Sequence, residues 1–526
     1  MRAATTLILA LVPAFSIAFG APGHQARTRA LPAQIHASSR TPVQVPGYTT
    51  HIEGRLQPLM VDSTPPRLIY QLVGPMHQWR VPLTDLEAFA GVVPGAQVEL
   101  GGHWSKNGVF VVKELLVLDE PEILGVSGRL EVLIAILKFT DAKVKATSRQ
   151  ISNFMFHDNS SVNLMFQENS FNKVSEMTGR VVGPYDVPIS VNDPCSADRY
   201  EREGRNQLLE HGIIPNNYDH VMYIIPDAKS SGCGWCGLGE VGGDVTWITC
   251  TLDPDVYAHE LGHNFGLLHA SANGEEYGDR SCTMGIPSSV INFNGPHTHQ
   301  LGWFDSEDIL DLTVLDEPMV EFSIAPLTAP AGSPDPHLIK LKGSRYLSHR
   351  QKDAFDYYLS AQYLDGAAFH YWPSPYRVTE LLEHATKGSY FEDATYDIYV
   401  KHVRTDDDGV TVRMSYDRNQ PFFAEPGADD LDILPGEVLT FEVRNMNANQ
   451  IDEVVLYRRL DTPDGEYEEV DRTEEPGATL LEDQPACRNE GYLYRALVVM
   501  GNGDSYYTDS LDIKRVGFSR ICLQRD

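Results

Sequence analysis

Apolar residues recur along this chain at two different periods, and the switches between them mark out its parts. From Tyr48 to about Leu118, runs such as RLIYQLV, QVELGGHW and GVFVVKELLVL are separated by Gly and Pro, as half-buried strands are. RLEVLIAILKF (Arg129 to Phe139) is almost continuously apolar instead, which predicts a central strand covered on both faces. Helical spacing follows in SRQISNFMF and SSVNLMFQENS. ADRYEREGRNQLLEHG reads as an amphipathic helix closed by Gly212, and HVMYIIP as a second buried strand stopped by Pro226. Strands alternating with helices predict an α/β sheet domain over 125–311. Beyond Leu312 the helical pattern fades. HLIKLKG, SRYLSHR, AAFHYWP, YDIYVKHV and GVTVRMSY predict a β-rich module over 312–418, and DRNQPFFAEPGADD a linker. IDEVVLYRRL, EGYLYRALVVM and the turn GNGDS give 430–526 the spacing of a β-sandwich.

One segment follows neither period. MRAATTLILALVPAFSIAFGAPG has a single arginine, then an apolar run from Leu7 to Phe19, then small residues at Ala18 and Gly20. The run is shorter than the ~20 residues that span a bilayer, so residues 1–20 read as a removable secretory signal cut near Gly20–Ala21. Secretion, no membrane insertion and an extracellular site of action are the expectations. The β-rich unit within 21–124 then lies between signal and chemistry, where a propeptide would. Asn159-Ser-Ser offers one glycosylation site for a eukaryotic host.

Charge and cysteines narrow the class. A formal net charge of −31 over 526 residues opposes nucleic acid and anionic membranes as partners. The acidic runs TDDDG (405–409) and DGEYEEVDRTEE (464–475) lack the EF-hand ligand pattern, so they read as solvated turns and Ca2+ is not indicated. Seven cysteines, none before Cys195, predict local disulfides in an oxidising compartment. Cys487–Cys522 is the most natural pair, with one cysteine left over. Cys233-Gly-Trp-Cys236 has neither a second CxxC nor a thioredoxin-like context, so structural bridging is expected there.

The chemistry is concentrated in AHELGHNFGLLHASA, residues 258–272. Asp253 as N-cap, Pro254 at the first helical position and Asp255 in the first turn predict a helix starting here. His259 and His263 then lie one turn apart on one face, where two imidazoles can share an ion at the ~2.0–2.1 Å of Zn–N bonds. Glu260, beside the first ligand, reaches a water held by the metal. A helix continuing past Gly266 would carry His269 out of range. A glycine ends helices readily, so a turn at Gly266 returns His269 as third ligand. Three protein ligands leave a position open for water, the arrangement of catalytic rather than structural zinc.

The extended pattern HExxHxxGxxH resembles that of the metzincins. In EEYGDRSCTMGIP, Met284 lies fifteen residues after His269 and looks like their Met-turn. Together with CGWCGLGEVGG, these motifs resemble the gametolysin family (peptidase M11) most closely, over roughly residues 130–310. The resemblance implies an α/β (α+β) metzincin-type catalytic domain with a central twisted sheet and active-site helix, flanked by the β-rich propeptide and C-terminal β-sandwich domains. It implies one Zn2+ on His259, His263 and His269, with Glu260 as general base and then acid, Met284 as the floor of the site, and Gly266 as its turn. It also places Gly237, Leu238, Gly239, Glu240 and Val241 on the edge strand along which an extended protein or glycoprotein substrate would lie. A mobile glycine loop is the alternative there. The last hundred residues look similar to a fibronectin type III domain. Two departures matter. No tyrosine lies just after Met284, and no cysteine in 21–124 can hold a zinc latent, so inhibition from that unit needs a carboxylate, a histidine or obstruction. His297 and His299 in GPHTHQLGW read as packing histidines beside a complete site. The expected activity is zinc-dependent endoproteolysis. A secreted binding protein on a degenerate scaffold, and a zinc hydrolase of a non-peptide bond, are the competing classes.

Overall fold

The computed structural model describes residues 50–516 apart from 85–88, 90, 123–124, 228–232, 286–288, 316, 387–388, 426–431, 434–436, 446, 448–449, 487–490 and 514. Residues 1–49, with the expected signal segment, and Cys487 and Cys522 lie outside the described residues. Within them the protein is a mixed α+β chain dominated by strands in several sheets.

The largest sheet has ten strands. They are β1 (Thr50–Val61), β2 (Arg67–Val73), β3 (Arg80–Thr84), β4 (Gln97–Trp104), β5 (Phe110–Asp119), β6 (Gly128–Lys138), β7 (Val174–Asp186), β8 (His220–Ile224), β9 (Gly237–Glu240) and β10 (Val245–Ile248). Their order is β2-β3-β5-β4-β1-β9-β10-β8-β6-β7. β6, β7, β8 and β10 run parallel, whereas β9 is antiparallel to β10. The apolar run of β6 has the predicted cause. Val132, Ile134 and Ile136 face one core with α2 (Val162–Asn169) and α4 (Pro254–Asn264), while Leu133, Ala135 and Leu137 face another with α3 (Ala197–Glu210). Each of these Val, Leu and Ile side chains contributes about 1.5–3 kcal/mol on burial. Gly212 ends α3 with φ +72°. The first helical stretch, α1 (Ser148–Ser152), opens with a capping box at Thr147 and continues as a π turn.

The N-terminal strands do not form a sheet of their own. β1 pairs on one edge with β2 and on the other first with β4, along Thr50–Arg55, and then, antiparallel, with β9, through Leu59–Glu240, Met60–Gly239 and Val61–Leu238. The glycine-rich segment is therefore a strand, and its outer edge is covered by the chain's own N-terminal part.

The next region is a pair of sheets. Six strands, β11 (Ala270–Ala272), β12 (Ile309–Asp311), β14 (Leu338–Leu341), β15 (Arg345–His349), β16 (Ala367–Tyr371) and β17 (Thr379–Ala385), take the order β11-β17-β16-β15-β14-β12. They pack on a four-stranded sheet of β13 (Met319–Ile324), β18 (Tyr390–Asp393), β19 (Ile398–Asp406) and β20 (Gly409–Ser415), through Ile339, Leu347 and Phe369 against Val400, Val412 and Met414. TDDDG forms the turn between β19 and β20. β11 and β12 come from the chain before residue 312, so this sheet reaches back across the boundary read from the sequence. In the last region Ile451–Leu460 pairs antiparallel with Tyr492–Met500, whose alternate residues bury Tyr494, Ala496 and Val498 against Phe441 and Val443. Among the described residues, no helix is long and apolar enough to cross a membrane.

Candidate metal centre

α4 starts where Asp253 and Pro254 place it, although the Asp253 side chain makes no capping hydrogen bond and contributes only charge near the positive helix end. It ends at Phe265 and Gly266, where φ is +92°. The Gly266 amide donates to the His263 carbonyl at 2.8 Å and the Leu267 amide to that of Gly262 at 3.0 Å, closing the helix. The chain turns back into β11, tied through the Ala270 amide to the Met284 carbonyl at 2.9 Å. The turn therefore returns His269 to the other two histidines. Ring centroids are 4.8 Å apart for His259–His263, 5.1 Å for His263–His269 and 5.4 Å for His259–His269.

Their hydrogen bonds fix what the rings can do. Nδ1 of His259 lies 2.8 Å from the Thr283 carbonyl and Nδ1 of His263 2.8 Å from the Leu267 carbonyl. Nδ1 of His269 lies 2.6 Å from a Glu276 carboxylate oxygen. Carbonyls and carboxylates only accept, so each Nδ1 carries the proton and each neutral ring turns its Nε2 lone pair inward. The fourth member of the cluster is Asp62, just past β1. Its oxygens lie 3.2 Å from Nε2 of His259, 3.7 Å from that of His263 and 3.1 Å from that of His269. The four ligand atoms lie within 4.8 Å of one another. Nε2 of His259 and of His263 are buried with no hydrogen-bond donor. Nε2 of His269 is within hydrogen-bond distance of Asp62 Oδ1, at 3.1 Å, but two further ring acceptors converge there unpaired, so this donor set fits a metal ion.

Glu260 completes the group. Both its carboxylate oxygens are buried and lack a partner, and burial together with the nearby Asp62 carboxylate pushes its pKa well above the usual range. Burial pushes His263 down to about 4. For His269 the same effect is outweighed by Asp62 and Glu276, which raise it. Burial would raise Asp62, but the three histidines hold it well below the usual carboxylate value. Glycines make room for Glu260: a Cβ at Gly237 would lie 1.7 Å from its Oε1, and one at Gly239 2.8 Å from its Oε2. Leu238 and Glu240, alternating with them, are buried on the opposite face with α3, and the Val241 amide donates to the Pro58 carbonyl of β1 at 2.9 Å. Met284 is buried beneath α4, so close to Gly262 that a Cβ there would meet its Sδ at 2.3 Å.

Two disulfides, Cys195–Cys233 and Cys236–Cys250, frame the strap before β9, so both cysteines of the CxxC bridge outward rather than to each other. Cys282 is free and buried. His297, on α5 (Gly295–Gln300), is buried with Nδ1 3.4 Å from Cys282 Sγ, and burial pushes it down to about 3. His299 packs against Trp372 and Tyr346. Neither belongs to the Nε2 cluster.

Sequence reasoning missed three neighbours of the site. Asp62 is separated from the histidines by about two hundred residues, and Glu276 sits in an acidic pair with no distinguishing signal. Tyr277 is the third. Its ring lies 4.0 Å from that of His269, and its hydroxyl donates to Asp62 Oδ1 at 3.0 Å. The missing tyrosine after Met284 thus did not mean a site without one, since this tyrosine arrives before the methionine. A second charged cluster lies on the other face of β9. There Arg80 donates to Glu240 at 2.7 Å and to Glu201 of α3 at 2.7 Å, all three side chains being buried. His77 adds a contact to Asp244 at 3.1 Å.

The model of the gametolysin peptidase M11 family matches residues 129–360. The chain is also similar to an autolysin of Chlamydomonas reinhardtii, 29% identical over 137 residues that make up 24% of this chain and 20% of that protein. It thus spans about a fifth of that relative's length. Among solved structures, the fibronectin(III)-like modules of Clostridium thermocellum CbhA match with TM-score 0.16 and 11% identity over 19% of this chain and 98% of theirs. A chaperone–substrate complex matches with TM-score 0.19 and 13% identity over 40% of this chain and 36% of that one. At such scores neither likeness carries an argument about fold.

Proposed function

Because residues 129–360 belong to the gametolysin peptidase M11 family, we propose that this chain is a secreted zinc metalloendopeptidase that hydrolyses extracellular, cell-wall or matrix proteins. One observation carries the reading: three Nε2 lone pairs converge beside a buried carboxylate that has no other partner. A domain kept only for binding has no use for Glu260 in that state, which counts against the degenerate-scaffold reading.

His259, His263 and His269 would hold the zinc, which when bound would polarise the scissile carbonyl and acidify water. Thr283, Leu267 and Glu276 fix the ring orientations through Nδ1. Glu260, buried next to His259 with both carboxylate oxygens unpartnered, is placed to take a proton from the attacking water and hand it to the leaving amine. The metzincin-type floor and cleft are Met284 and β9. An extended substrate backbone lies antiparallel along Gly237–Val241, accepting from and donating to main-chain groups, so varied side chains are tolerated. The test is casein hydrolysis by purified protein with and without a chelator. Glu260→Gln should keep its metal and fold and lose about 10²–10⁴-fold in turnover. Comparable peptidase activity in that variant discards the assignment.

A further inference from the structure

We propose that Asp62 is a fourth protein ligand of the metal, and that the strand it terminates, β1, is a built-in inhibitor lying where substrate would lie. The proposal deepens the peptidase reading and rests on it. Its first support is the carboxylate itself, within 3.1–3.7 Å of all three Nε2 atoms and held by the Tyr277 hydroxyl at 3.0 Å. Three histidines and a carboxylate close a tetrahedral site. A closed site is a structural one, because catalysis needs a position open to water. In this arrangement the metal cannot work until Asp62 leaves.

The second support is independent of the cluster. Just before Asp62, Leu59, Met60 and Val61 pair antiparallel with Glu240, Gly239 and Leu238. The pairing continues in the Val241 amide to Pro58 carbonyl bond and in the Gln57 side-chain amide to Val241 carbonyl bond at 2.8 Å. β1 thus uses the main-chain groups of β9 that a substrate strand needs, so the two compete for one edge. The third is an anchor. Arg80, two strands away in the same N-terminal unit, pairs with Glu240 and Glu201 in a buried setting, and Arg55 of β1 and His77 approach Asp244. These contacts bind the inhibitory strand from the opposite face of β9, without touching the metal ligands. A covalently attached strand is present at high effective concentration, so modest contacts suffice to exclude free substrate.

The experiment uses the full chain loaded with Co2+ or Zn2+. Asp62→Asn and Asp62→Ala should change the visible Co2+ spectrum and speed metal removal by a chelator at least tenfold. Casein hydrolysis should rise at least tenfold over the parent chain. An unchanged spectrum and chelator rate overturn the ligand assignment, and a faster rate with hydrolysis no higher than in the parent overturns the inhibitor assignment. Placing Asp62→Asn on a Glu260→Gln background separates the two readings. Faster metal loss should persist there with no hydrolysis. If no variant cleaves casein while metal loss still accelerates, the peptidase reading fails and the fourth ligand stands. Arg80→Met gives a second approach that leaves every metal donor intact. It should raise hydrogen exchange at the Val241 amide and casein hydrolysis together, and a rise in neither overturns the inhibitory role of the strand.

Discussion

β9 separates two buried clusters of charge with opposite logic. On the α4 side, three histidines and two carboxylates point at one another with their outward hydrogen bonds already spent on Thr283, Leu267 and Glu276. On the α3 side, Arg80 meets Glu201 and Glu240 as cation to anions. In the second group each of the two carboxylates faces a cation directly, and Glu201 and Glu240 would be costly to bury without the arginine. The first is complete only with something added. Burial and charge alone do not tell a site from a brace. What distinguishes them is whether the facing atoms are complementary or are all acceptors.

This contrast can be broken by substitution on either side. The largest effect is expected for His263→Ala, which should abolish stoichiometric metal binding, read by metal analysis after dialysis, and hydrolysis with it. Arg80→Ala should leave metal content at one per chain while lowering the full chain's stability by about 3–5 kcal/mol in chemical denaturation, the cost of stranding buried carboxylates. Equal loss of metal in the two variants would erase the distinction. Glu276→Gln, which weakens the acceptor on His269 Nδ1, should reduce metal affinity about 10–100-fold in competition with a chelator.

Much of the first cluster could be read from local sequence because local geometry builds it. A one-turn offset joins His259 to His263, and one glycine returns His269, so spacing alone carried the inference. β6 and α3 were legible for the same reason, their periods being properties of contiguous residues. The second cluster was not, nor was Asp62. Arg80 reaches Glu240 across 160 positions, and Asp62 reaches the histidines only because β1 adds to β9. Strand pairing over such a distance leaves no periodic trace. The sheet continuity past residues 124 and 311 was hidden for the same reason, and so was Tyr277, whose relation to His269 depends on how the intervening turn folds.

A smaller effect probes a group that belongs to neither cluster. Burial holds His297 neutral, with its pKa pushed down to about 3. Its unfolded value is about 6.5. The unfolded chain therefore binds the extra proton first, and stability present above pH 6.5 is lost as pH falls toward 3. At pH 5 the loss from this residue is about 2 kcal/mol. His297→Gln should flatten denaturation midpoints over that range, and an unchanged slope would refute the assignment.

The short strand β11 has a consequence for how this protein can be cut or recombined. It begins one residue after His269 and is stitched to β17, with the Thr379 amide donating to the His269 carbonyl at 3.2 Å. His370 of β16 grips Asp279, which also accepts from Asn294. The last imidazole is thus held in place by a polypeptide stretch about a hundred residues downstream. A cassette ending at residue 311 would carry the whole histidine signature and lack the β17 pairing and the His370–Asp279 contact that brace its third member. Any minimal expressible unit, or any natural shuffling of this protein, has to keep the stretch through Ala385 attached to retain those braces.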